Sequence, residues 1–143
     1  MNLAVLRVVA DGDIVRALLA RHQLAVEAAW SAGEVDGLGR VSVDSGFNTT
    51  LADAGSAGEL VALTERWLAA NQPFLRELAT SGASATLDVG LGVNVDRPNR
   101  AVCFSPALLQ HCADAGVSLE VSAYLSGPSD AASELDDARN GRR

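Results

Sequence analysis

The sequence contains no lysine, and all eleven of its basic residues are arginine. We read that absence as compositional bias and not as a site. Against the arginines stand 18 acids, for a net charge of −7. Nucleic-acid binding needs clustered cations to neutralise phosphate, so no nucleic acid is expected as partner. The same balance favours solubility, and it would steer a basic protein partner if the carboxylates share a surface. Aromatic residues are scarce at 4%, which leaves Leu, Val and Ala to build the core. No apolar run approaches the roughly 20 residues of a membrane helix, so no membrane is expected either. No export signal is visible: residues 1–10 lack a basic start, and Arg7 interrupts their apolar run. The expected location is cytoplasmic. Cys103 and Cys112 are accordingly expected as free thiols.

Catalytic chemistry is equally thin. There are two histidines and no Gly-x-Ser-x-Gly elbow. Carboxylates alone can catalyse, which keeps an enzyme open, but the reading leans away from one. Asp44-Ser45-Gly46 matches the triplet of retroviral-type aspartic proteases. Those enzymes need two facing copies so that paired carboxylates share a proton, and this chain has one. Asp11-Gly12-Asp13 lacks the further acids of a calcium loop and reads as a turn before a helix. His111 and Cys112 are adjacent on an expected helix and diverge by about 100°, which is poor geometry for zinc. No metal and no cofactor are expected, and Cys112 reads as core.

What is present is enough for one domain. The 143 residues are 48% hydrophobic, in the globular range. Apolar runs and alternation predict strands over 2–9, 24–30, 40–47, 84–95, 101–104 and 117–125. Helices are expected over 13–22, 56–82 and 105–116, with Ser56-Ala57-Gly58-Glu59 as a capping box and Ser105-Pro106 as a helix start. Pro73 should kink or split the middle helix near Asn71. The order β-α-β-β-α-β-β-α-β implies an α+β, two-layer sandwich: a mainly antiparallel sheet with about three helices on one face. Residues 1–125 form the domain. Residues 126–143, poor in large apolar side chains, read as a disordered tail.

In such a sandwich one sheet face is apolar and the other is free to face solvent. In the stretch LDVGLGVNV, Leu87, Val89, Leu91, Val93 and Val95 alternate with Asp88, Gly90, Gly92 and Asn94. Val117, Leu119, Val121, Ala123 and Leu125 likewise alternate with Ser118, Glu120, Ser122 and Tyr124. Unbroken alternation followed by a turn excludes a phosphate-cradling glycine loop, which must lead into a helix. Strand glycines instead mark a close approach by a backbone or ligand. The candidate binding residues are therefore Asp44, Asp88, Gly90, Gly92, Asn94, Glu120 and Tyr124, on one shallow acidic face with a bare glycine strip.

Several features together resemble a widespread family of small uncharacterised bacterial domains. They are Trp30-Ser31-Ala32-Gly33-Glu34 after a strand-helix start, and Arg40 leading into Ser45-Gly46-Phe47. The ending adds Phe104-Ser105, Leu108-Leu109, Ala113, Gly116 and Leu119 to Tyr124. Phe47 stands where that pattern has Trp. The resemblance implies that Ser45-Gly46-Phe47 is a framework element, and it implies no activity, cofactor or catalytic residue. The expected function is a non-enzymatic binding domain, concretely an acidic immunity-type protein docking a basic partner through the open sheet face. One alternative is a small-ligand domain or enzyme with a pocket over Gly90 and Gly92, walled by Trp30 or Tyr124. Another is a homo-oligomer paired through the sheet face.

Overall fold

The computed structural model describes residues 2–96 and 99–126. Its elements are β1 (Asn2–Ala10), α1 (Gly12–His22), β2 (Ala28–Trp30), β3 (Ser45–Ala54), α2 (Ala57–Ala70), α3 (Gln72–Thr80), β4 (Ser84–Asn94), α4 (Pro106–Ala115) and β5 (Val117–Ser126). The strands form one five-stranded sheet in the order β2-β3-β1-β4-β5. The first three pairings are antiparallel, whereas β4 and β5 run parallel. A parallel pair needs a crossover, and α4 supplies it. The architecture is α+β with a mixed sheet and helices packed on it.

Alternation decides which face the helices cover. Ala4, Leu6 and Val8 of β1, Phe47 of β3, and Leu87 and Val89 of β4 are buried on one side. Leu18, Leu60, Leu68, Phe74, Leu78 and Leu108 meet them from the helices. Phe74 sits at the centre of the aromatic contacts, with ring centroids 6.5 Å from Phe47, 6.2 Å from Trp67 and 5.5 Å from His22.

The helix signals hold locally. Ser56 Oγ accepts the Glu59 N–H at 3.2 Å, which is one half of the capping box. Ser105 Oγ accepts the Leu108 N–H at 3.1 Å, Pro106 opens α4, and Gly116 closes it at φ 65°. The middle helix does split at Asn71, into α2 and α3, so the described residues carry four helices where about three were expected. Asp11 is the N-cap of α1; Asp13 lies in the first turn and pairs with Arg16. His22 links two helices. Its Nε2 lies 2.6 Å from Glu77 Oε2, while Arg21 donates to Glu77 Oε1, tying α1 to α3. The His22 hydrogen bond, aided by Arg21, holds the Glu77 carboxyl below its ordinary range. Both cysteines are free; Cys112 is buried, and burial pushes its thiol pKa up.

Three strand expectations need correction. The strand expected over 40–47 is instead β3, Ser45–Ala54. Register shifts between Ala4 and Val5, where Leu51 is the extra residue opposite β1, so both Leu51 and Ala52 are buried. That bulge breaks the period-two pattern and hides the strand. Val41 and Val43, whose alternation suggests one face of that strand, are exposed, and Val41 pairs with Val35 in a hairpin that precedes β3. Asp36 Oδ1 builds the tip of that hairpin by accepting the Leu38 and Arg40 N–H groups at 2.8 and 2.9 Å. Of the strand expected over 24–30, only Ala28–Trp30 pairs. Residues 101–104 form no strand, because β5 already occupies the free edge of β4. At the C-terminal side β5 runs to Ser126, and the tail expected beyond it lies outside the described residues.

Candidate functional site

The sheet face opposite the core carries Leu3, Val5, Arg7 and Val9 of β1 along its middle. In register, Arg7 lies between Asn48 and Thr86, and Val5 between Thr50 and Asp88. Asp88 of β4 adjoins Glu120 of β5, and Gly92 adjoins Tyr124. The face is a concave groove. A space of about 550 Å³ lies over Val5, Arg7, Val9, Thr86, Asp88 and Glu120. A second, about 300 Å³, continues over Leu3, Gly90 and Gly92 against Tyr124 and shares Val5 and Asp88 with the first.

Glycine and aromatic pairs stand at both edges of this sheet face. A Cβ built on Gly90 would stand 2.8 Å from Tyr124 Cε2. At the opposite edge, a Cβ on Gly46 would stand 2.4 Å from Trp30 Cζ2 and 2.5 Å from the Val8 carbonyl oxygen. Each edge strand thus lays its aromatic ring over a glycine of the next strand in, as aromatic side chains do where a neighbouring strand lacks a Cβ. The glycine strip is therefore not bare. The close approach that Gly90 signals is made by Tyr124 of the same chain.

The charges are distributed differently from a uniform acidic face. Asp88 and Glu120 stand side by side, and neither meets a cation among the described residues. Asp88 Oδ1 and Asn48 Oδ1 are buried with no hydrogen-bond partner among the described residues. Arg7 is diagonal to Asp88 but leans the other way, its guanidinium carbon 5.2 Å from the Trp30 ring centroid. Such stacking is worth about 0.5–1 kcal/mol at an exposed site. It leaves the Asp88 and Glu120 carboxylates unneutralised.

Two of the seven expected residues leave the group. Asp44 is at the far end, where its Oδ1 accepts the Trp30 indole N–H at 3.1 Å, three strands from Glu120. Its neighbour Ser45 is buried and accepts the Ala32 N–H at 2.9 Å, so the Asp-Ser-Gly triplet is framework. Asn94 Oδ1 accepts the Asp96 N–H at 3.0 Å and closes the strand-end turn. Asp88, Gly90, Gly92, Glu120 and Tyr124 do come together. Sequence reading missed Arg7, Asn48 and the Gly46–Trp30 pair. The available signal was Arg7 itself, a charge at an alternate position of β1, which marks that face as open.

No family model, no curated protein and no solved structure matches this chain. The site is therefore read from its own geometry. No group of three or more His, Cys, Asp or Glu side chains among the described residues could hold a metal ion. No described helix is long and apolar enough to cross a membrane.

Proposed function

We propose that this chain is a binding domain, without catalytic turnover, that docks a basic protein partner in the groove of the open sheet face. The observation that carries this reading is the Asp88–Glu120 pair: adjacent, unneutralised, and bordering a groove whose floor is mixed around Val5, Arg7 and Thr86 and apolar toward Leu3 and Tyr124. A partner arginine or lysine would place its charge between the carboxylates. Its aliphatic stem would lie on Leu3 and Val5, against Tyr124. Interface aromatics of this kind commonly carry much of the binding energy. An acidic immunity-type protein that occludes a basic toxin is the concrete form, within the small bacterial domain family that the sequence resembles and in a cytoplasmic setting. A small apolar ligand in the hollow of about 300 Å³ is the second reading, supported by the Tyr124 wall.

Titrating the labelled chain with an acetylated, amidated peptide of alternating arginine and valine tests the docking reading. Amide resonances of Asp88, Gly90, Glu120 and Tyr124 are expected to move first and furthest. Shifts spread evenly over the acidic surface, including α1 and α4, would contradict it.

A further inference from the structure

The groove is not the only unsatisfied surface. The sheet ends on one side in β2, three residues long, and on the other in β5, ten residues long. Among the described residues no strand pairs with the outer edge of β5. Proteins usually blunt such edges with proline, lysine, bulges or brevity. Residues 117–126 hold no proline and no basic residue, and Glu120 is their single charge.

The side chains of β5 that point to the helix side add a second observation. Their exposure climbs steadily along the strand, from 7% at Val117 to 49% at Val121 and 81% at Leu125. The helix α4 packs on β5 with Leu108, Cys112 and Ala115 buried, and within β5 Val117 is buried while Val121 and Leu125 are exposed. The chain that follows is poorly suited to cover this row, since residues 127–143 contain one large apolar side chain, Leu135.

A second copy of this chain offers a matching edge and a matching apolar row. We infer that β5 pairs antiparallel with β5 of another copy about a two-fold axis at Val121, joining two five-stranded sheets edge to edge. In an antiparallel pair, residues that face each other share a face of the sheet. The axis at Val121 therefore sets Val117 opposite the second copy's Leu125, Leu119 opposite its Ala123, and Val121 opposite its own counterpart. Glu120 faces a serine, Ser122 of the second copy, and so avoids a direct like-charge pair. The two-fold also brings the exposed end of each β5 row beside the buried end of the other copy's row. A parallel arrangement would set the two exposed ends together. This interface uses a sheet edge and does not depend on the docking proposal; it would lay the two grooves side by side.

The test uses the full chain. Light scattering over a concentration series is expected to approach twice the chain mass. The V121R variant is expected to remain at one chain mass with an unchanged circular dichroism spectrum, because Val121 is half exposed and a charge there would meet its own copy. In a C103S background, which removes the exposed native thiol, V121C should cross-link into dimers under mild oxidation. The paired Cα atoms would lie about 4.5–5.5 Å apart, within disulfide reach. S118C in the same background should not, since its counterpart would be roughly 20 Å away along the strand. A single-chain mass at every concentration would overturn the inference. So would V121C cross-linking no faster than S118C.

Discussion

Replacing Phe74 by alanine is expected to cost about 3–5 kcal/mol of folding stability, the usual range for a buried phenylalanine. The chain has three phenylalanines, two tryptophans and one tyrosine, and Phe74 contacts the rings of Phe47, Trp67 and His22. Few large side chains therefore stand ready to refill the space, and the helix layer would lose its common contact with the sheet. Domains of this size are stable by only about 5–15 kcal/mol. A urea titration should show the midpoint falling by roughly 2 M. Phe104, which packs on the core from a segment without regular structure, should cost less when changed to alanine. Equal losses at the two positions would contradict the central place given to Phe74.

The second large effect separates the two glycines of the open face. G46A is expected to destabilise by about 1–3 kcal/mol, because its methyl group meets the Val8 carbonyl at 2.5 Å as well as the Trp30 ring. Backbone cannot yield as a side chain can. G90A meets only Tyr124 below ordinary contact distance, and that ring, 58% exposed, is free to swing outward. Removing glycine's entropic cost of about 0.5–1 kcal/mol should bring G90A close to neutral. Urea midpoints for both variants, with the Trp30 indole resonance as a local reporter, check the contrast. Similar costs at Gly46 and Gly90 would show that the rings do not lie on the glycines as described.

Much of this architecture was legible in the sequence because local and long-range preferences agree. The Ser56 and Ser105 caps, the Pro73 break and the alternation of residues 84–91 each act through the backbone nearby. Leu87, Val89 and Leu91 are buried as their spacing implies, while Val95, beyond the strand end, is exposed. The alternation failed where pairing partners intervene. The bulge at Leu51 obscured β3, and Val41 and Val43 imitated a strand inside a hairpin held by Asp36. Asp44 and Asn94 fit the polarity of the site and so look like part of it in sequence. Each is in fact held by a near neighbour, Trp30 in one case and the Asp96 N–H in the other. Polarity alone does not say whether a polar group is already satisfied. Arg7 escaped notice for the reverse reason: its meaning depends on Trp30, distant in sequence and adjacent in space.

The docking claim rests on Asp88 and Glu120, and reversing both charges tests it most directly. Association of the arginine–valine peptide is to be followed by stopped flow at low and at physiological salt. A control variant with Asp13 and Asp114, on α1 and α4, changed to arginine carries the same change in net charge. The D88R/E120R chain should associate about tenfold more slowly at low salt and lose most of its salt dependence, because field focused at the groove governs the encounter. The D13R/D114R chain should keep the parent's rate within a small factor. Equal slowing in the two variants, or no slowing in D88R/E120R, would contradict a docking role for the open sheet face.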